Sequence, residues 1–350
     1  MDTYQHKQSV EKAIELLKQL ISIPSVSREE SDCADIIENY LKGNGCTPFR
    51  HGNNVWAMSD NYDPSAPGIL LNAHIDTVKP VSGWSHDPFT PLLEGDRLYG
   101  LGSNDCGGGI VSLLEVFLML RKSRNDLVFL ASCEEEVSGK GGIESVIPHL
   151  PAIGFAIVGE PTSMQPAIAE KGLMVVDAIA HGKAGHAARD EGVNAIYLAM
   201  DDINKLREFH FPKESALLGP VKTTVTIINA GTQHNVVPDE CHFTIDVRSN
   251  ECYSNEEIFK ILSSMLGSEL KARSFRLNSS SISPDHPFIK ACVEMGMQPF
   301  GSPTLSDQAL MPFPSVKLGP GDSSRSHTAD EYIKVSEIQS AIEIYNKLLG

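Results

Sequence analysis

Three short apolar runs constrain this chain more than any other feature. Gly68 to Ala73, Leu127 to Ala131 and Phe155 to Val158 lack the polar alternation of a half-exposed strand. Runs of this length suit strands buried on both faces, as in a parallel sheet covered by helices. Helical periodicity surrounds them. Val10, Ala13, Ile14, Leu17 and Ile21 recur at helical spacing before Ile23-Pro24-Ser25. Ile36, Ile37, Tyr40 and Leu41 share one side of a second helix, predicted to stop at Gly43 in a left-handed conformation. Ile110 to Leu120 reads as a third helix, and Ile338, Ala341, Ile342, Tyr345 and Leu349 mark a last one. The outer parts of the chain thus predict an α/β fold with a mixed, largely parallel sheet and flanking helices.

Between about Gly172 and Ser281 the pattern changes to strand (Leu173 to Ala180), helix (Asn194 to Phe209), two strands (Thr223 to Ile228, Cys241 to Val247), helix and strand (Leu270 to Leu277). This is a βαββαβ order, the ferredoxin-like α+β arrangement. Its second helix opens with Ser254-Asn255-Glu256-Glu257, a capping box. The reading is one domain inserted in another: residues 1–171 and 282–350 form the outer domain, and 172–281 the insert.

Composition narrows the function classes. The 45 acidic residues against 29 basic ones leave a formal charge of -16, which repels nucleic acid and anionic membrane surfaces. The seven cysteines are scattered and include no Cys-x-x-Cys pair, which fits a reducing compartment rather than a disulfide scaffold or thiolate metal site. The opening Met-Asp-Thr-Tyr-Gln-His has neither a basic nor an apolar leader segment, so a cytoplasmic protein is expected.

Residues able to do chemistry cluster where the buried runs end. Gly68 to Ala73 leads directly into His74-Ile75-Asp76, and residues two apart on an extended chain point the same way. Leu127 to Ala131 ends in Ser132-Cys133-Glu134-Glu135-Glu136, three adjacent carboxylates that call for positive charge nearby. Phe155 to Val158 ends in Gly159-Glu160-Pro161. Ligands of open parallel sheets bind outside such carboxyl ends. Asp105 stands in a glycine-rich turn, Gly100 to Gly109, which lacks both the Gly-Lys-Ser/Thr ending of a phosphate loop and the dinucleotide spacing. Ser326-His327 comes after a second glycine-rich stretch near the C-terminus. Two histidines and three carboxylates suffice for two metal ions sharing one carboxylate. Taken singly, each motif is equally a solvated loop.

In order and spacing, His74-x-Asp76, Gly102-x-x-Asp105, Glu135-Glu136, Gly159-Glu160-Pro161 and Ser326-His327 resemble the di-zinc aminoacylase/carboxypeptidase family. That family includes acetylornithine deacetylase, the member most resembled, and succinyl-diaminopimelate desuccinylase. The resemblance spans nearly the whole chain and implies two Zn2+ per subunit, with Co2+ as an alternative. His74 and Glu160 would hold one ion, Glu136 and His327 the other, and Asp105 both. Asp76 would fix the His74 ring and Glu135 would be the general base. The family usually shows Asp-Glu-Glu where this chain has Glu134-Glu135-Glu136, and often a lysine where it has Gly107. In the insert, Gly182-Lys183-Ala184-Gly185-His186 resembles the segment whose histidine stabilises the oxyanion, from the partner subunit in dimeric members. Asn235 and Arg248 match substrate-contacting positions, and the insert is expected to form a homodimer.

The expected reaction is therefore hydrolysis of an N-acyl amino acid, N-acetylornithine first, as in arginine biosynthesis. N-succinylornithine, N-succinyl-diaminopimelate and the substrates of a dipeptidase or carboxypeptidase are alternatives. A succinyl substrate needs one more cation, for which Arg189, Lys183 and Arg325 are available. A non-catalytic binding protein would have no need of Glu135, and a magnesium-dependent phosphate enzyme would lack its phosphate loop.

Overall fold

The computed structural model describes residues 3–350, with side chains from residue 6; Met1 and Asp2, which open the N-terminal segment, lie outside the described residues. The chain divides into two compact units, one of Met1–Ile168, Ile282–Phe300 and Ser306–Gly350, the other of Ala169–Ser281 with Gly301–Leu305. The second unit thus begins three residues before the sequence-derived boundary and also takes in a short later segment.

In the first unit the strand Gly68–His74 lies between Leu127–Ser132 and Ile153–Val158, parallel to both. Ser315–Lys317 continues the parallel set beyond Ile153–Val158, and Asn54–Met58 runs antiparallel outside Leu127–Ser132. Both faces are covered, which explains the uninterrupted apolar runs. Leu127, Phe129 and Ala131 enter one core cluster with the helices Thr3–Ile21, Ser31–Gly43, Gly108–Leu120 and Val335–Leu349. Val128 and Leu130, which alternate with them, enter another with Trp56, Ile143 and Val146. Each fully buried side chain of this size contributes roughly 1.5–3 kcal/mol, so a polar residue at either parity would be costly. The fold is the mixed, largely parallel α/β class expected from the sequence.

The helix Gly108–Leu120 is apolar nearly all round because it is enclosed nearly all round. The stretch Ser103–Leu120 has the length and hydropathy of a membrane span, and 83% of it is buried in the protein. Its first turn packs directly on the chain after Val158. A Cβ at Gly109 would lie 1.7 Å from the Gly159 carbonyl oxygen, so only glycine allows this approach.

The second unit is a four-stranded antiparallel sheet in the order Lys222–Ala230, Glu240–Arg248, Met174–His181, Glu269–Ala272. The helices Ala195–Glu208 and Asn255–Met265 contribute Ala195, Ala199, Ile258 and Leu262 to a core with Phe243, Ile245 and Val247. The capping box at Ser254 and Glu257 forms as expected.

Two local expectations are corrected. The last strand stops at Ala272 instead of reaching Leu277, because the Asn255 amide takes the Phe275 and Leu277 carbonyls at 3.3 and 2.8 Å. The second helix stops at Gly43 as expected, but the left-handed residue after it is Gly45, at φ +80°, with Asn44 capping the helix between them.

Candidate metal centre

Strand register brings the predicted motifs of the first unit to one edge of its sheet. His74 is paired with Ser132, so Cys133 to Glu136 leave the sheet beside it. Asn72 is paired with Val158, two residues before Glu160. Asp105 comes from the short irregular turn Ser103–Gly107, at the head of the helix Gly108–Leu120. A Cβ at Gly107 would meet the Gly102 carbonyl oxygen at 2.4 Å, so this tight turn has no room for a side chain there.

Asp105 stands between the two histidines. Its Oδ1 is 3.2 Å from His74 Nε2 and its Oδ2 is 3.7 Å from His327 Nε2. Each imidazole has a further carboxylate of its own. Glu160 Oε1 is 3.6 Å from His74 Nε2, and the two Glu136 oxygens lie 3.1 and 3.0 Å from His327 Nε2. One ligand atom from each of His74, Asp105 and Glu136 lies within 4.8 Å of the others.

Glu134 lies outside this group, with its carboxylate over Gly139 and Gly141 and 3.8 Å from Arg28. Asp76 makes contacts that spacing alone did not suggest. His74 Nδ1 lies 2.9 Å from the Asp76 carbonyl oxygen and 3.5 Å from its carboxylate. That carboxylate accepts the backbone N–H groups of Glu135 at 3.0 Å and Glu136 at 3.1 Å, and the Ser27 hydroxyl at 2.7 Å. Asp76 therefore fixes the turn that carries both glutamates.

The electrostatics are those of a site with surplus negative charge. Burial pushes Glu160 up to about 8, and Asp105 adds to the push. Burial carries Glu135 well above the usual carboxylate range; His74 opposes this, while Glu160 and Asp307 reinforce it. The bond from Glu136 raises the His327 imidazole to about 9.

The residues fit divalent cations. Glu160 Oε1 is buried without a hydrogen-bond partner, 3.6 Å from His74 Nε2. Imidazole nitrogen with carboxylate oxygen is a donor set for zinc, cobalt or manganese.

Among the buried carboxylates to which the sequence reading gave no role, Asp307 and Glu331 bond to segments of this site. Asp307 Oδ2 accepts from Asn72 Nδ2 at 2.9 Å and Ser132 Oγ at 2.6 Å, tying together the two strands that end at His74 and the glutamates. Glu331 accepts three N–H groups from the Asp105 turn. An acidic residue within an otherwise ordinary loop gave no signal for Asp307. Glu331 lay only four residues beyond His327, in a segment already singled out.

His186, Asn235 and Arg248 belong to the second unit. His186 is paired with Val236, beside Asn235, and its Nδ1 accepts the Ala188 N–H at 3.1 Å. Arg248 directs its fork at Asp246, with bonds of 2.9 and 3.1 Å. Arg325, in the first unit, is held by both oxygens of Glu337 at 2.8 and 3.0 Å and lies over the Tyr332 ring. It is thus engaged, whereas the sequence reading had it available to a substrate.

Comparison with known proteins agrees with this architecture. Aminopeptidase PepT from Bacillus cereus superposes with a TM-score of 0.77 at 18% identity, over 97% of this chain and 98% of that one. The M20 family metallo-carboxypeptidase Sso-CP2 from Sulfolobus solfataricus gives 0.75 at 18% identity, over 96% and 98%. The YXEP protein of Bacillus subtilis, described as a dinuclear metal-binding peptidase of the M20 family, gives 0.71 at 17% identity, over 98% of both chains. At these identities the likeness speaks for the fold. The family model for peptidase family M20/M25/M40 matches residues 70–350, and the chain belongs to that family of hydrolases.

Proposed function

We propose that this chain hydrolyses the amide bond of a small amino-acid derivative with two divalent metal ions, N-acetylornithine being the first substrate to assign. The observation that carries this reading is Asp105, with one oxygen toward His74 and the other toward His327. His74 and Glu160 would hold one ion, Glu136 and His327 the other, and Asp105 both; zinc suits the donors, and cobalt can replace it. When bound, such ions supply Lewis acidity and a water acidified toward neutral pH.

The chain's own residues do the rest. Asp76 holds the turn of Glu135 and Glu136 through their backbone N–H groups. Glu135 takes a proton from the attacking water as that oxygen bonds to the acyl carbon. It delivers the proton to the amine nitrogen as the C–N bond breaks, leaving a carboxylic acid and a free amine. His186 is the residue for hydrogen bonding to the developing oxyanion. Asn235 and Arg248 are assigned to the substrate, with Arg248 exchanging Asp246 for the α-carboxylate.

A second reading, cleavage of a short peptide, is favoured by the names of the similar proteins, an aminopeptidase and a carboxypeptidase among them. For the succinyl substrates, Glu337 holds Arg325, which leaves Lys183 and Arg189 as the candidate cations. A homodimer through the second unit is supported by its edge strand Lys222–Ala230, where Ile227 and Ile228 are exposed, and by Tyr197 and Met200 exposed on the helix Ala195–Glu208. All seven cysteines are free, which suits a reducing cytoplasm.

The test is release of free amine from N-acetylornithine, N-succinylornithine, N-succinyl-diaminopimelate and a dipeptide set by the metal-loaded protein, with and without chelator. Chelator-sensitive release fastest from N-acetylornithine is the expected result. Fastest release from a dipeptide would install the second reading, and no release from any substrate would sink both.

A further inference from the structure

Glu331 contributes no atom to the donor set of the metal centre, yet it is only 2% exposed and grips the turn that presents Asp105. Its Oε1 accepts the backbone N–H groups of Asn104 and Asp105, each at 2.9 Å, and its Oε2 accepts that of Gly102 at 3.1 Å. Its own carbonyl oxygen accepts the Gly100 N–H at 3.0 Å. The turn is also tied to the segment before His327. Asn104 Nδ2 donates to the Asp322 carbonyl at 3.0 Å and to Ser326 Oγ at 3.3 Å, while its Oδ1 accepts the Asp322 N–H at 3.1 Å. One buried network therefore spans the turn of Asp105 and the loop of His327.

We infer that Glu331 is the positioning residue for Asp105, fixing the turn so that the shared carboxylate stands between His74 and His327 before any ion arrives, and thereby setting the affinity of the centre for its ions. The inference rests on the two-ion reading of the proposed function. Its physical basis is preorganisation, since a ligand that must be ordered on binding subtracts that ordering from the affinity. A role in stability alone is a poor explanation. Burial and the nearby charge of Asp105 raise the Glu331 carboxyl, against the three backbone N–H bonds that it accepts.

The chemistry of the fork gives a near-isosteric test. In E331Q the amide oxygen can keep the Asn104 and Asp105 bonds, but the amide –NH2 then faces the Gly102 N–H, donor against donor. The turn must shift while the volume of the side chain is retained. Purified wild type and E331Q, stripped of metal, are titrated with Zn2+ and with Co2+ against a chromophoric chelator, and unfolding midpoints are taken in excess chelator. The expected result is a 10–100-fold weaker affinity for at least one of the two ions in E331Q, the range typical of outer-partner mutations, with the metal-free midpoint at or above that of wild type. Wild-type affinity for both ions in E331Q would overturn the inference. If E331Q lowers the metal-free midpoint, E331D decides. It keeps the charge one methylene short, so weakened uptake is expected there too, and wild-type uptake overturns the inference. Two ions bound by wild type and matched by the variant break this inference alone. A wild-type chain that takes up no ions, or whose uptake is unchanged in H327A, breaks the two-ion reading and this inference with it.

Discussion

The candidate metal centre of the first unit and the His186–Asn235–Arg248 group of the second differ in how their residues are held. His74, Asp105, Glu136 and Glu160 come from separate segments, and their supports reach far along the chain. Asp76 grips the Glu135–Glu136 turn, Asp307 joins Asn72 to Ser132, and Glu331 holds Gly102 to Asp105. His186 bonds instead to Ala188 and Arg248 to Asp246, each two residues away. Residues fixed by long-range bonds are placed by the fold and keep their geometry. His186 and Arg248 also sit on strands paired at long range, but their side chains bond only to neighbours and can exchange that partner for a substrate.

Substitutions put this contrast at risk. E135Q should give the largest effect, a loss of kcat of about 10²–10⁴-fold with two ions still bound, because it removes the proton carrier and leaves the donors in place. Steady-state kinetics beside metal analysis would show it, and near-wild-type turnover would remove Glu135 from its role. H186A should lower kcat by roughly 10²–10³-fold, as expected for an oxyanion donor, again with metal content intact. A loss of metal in H186A would mean that the second unit supports the centre rather than the substrate. R248A should raise KM by about 10–100-fold with a smaller change in kcat, as for a charge-assisted contact to substrate. An effect confined to kcat would place Arg248 elsewhere in the reaction.

The smallest effect concerns stability in the first unit. Glu115 is buried on the helix Gly108–Leu120 and accepts the Tyr40 hydroxyl; burial raises its carboxyl above the usual range, although Tyr40 opposes this. A carboxyl with a raised folded-state value favours the fold while protonated, and that advantage disappears as pH rises from its unfolded to its folded value. E115Q keeps the acceptor oxygen without the charge. It should therefore be more stable than wild type above that window, with the gap narrowing as pH falls through it. Denaturant midpoints at acidic and neutral pH would measure this, and a gap independent of pH would mean that Glu115 is not the titrating group.

Much of the fold was legible from local pattern. Leu127 to Ala131 announced a strand buried on both faces because each parity meets its own apolar cluster. The capping box at Ser254 and Glu257 was legible because its bonds close within one turn. The helix end at Gly43 was legible, but the left-handed residue falls two positions on, at Gly45, after the cap at Asn44. The strand expected to Leu277 was cut short by Asn255, a partner some 20 residues away whose amide no local window contains.

The same division runs through the candidate site. Sequence alone determined which residue types stand at the ends of the buried runs, because strand parity and chain order set the side chains just beyond Ala73, Ala131 and Val158. The tertiary structure decided that Asp105 stands between His74 and His327, and that Glu136 rather than Glu134 meets His327. It also decided that Asp307 and Glu331 bond to the segments that carry His74 and Asp105 and that Arg325 is already engaged. Those outcomes depend on parallel register and on bonds spanning as many as 235 residues, and no periodicity along the chain encodes a distance of that kind.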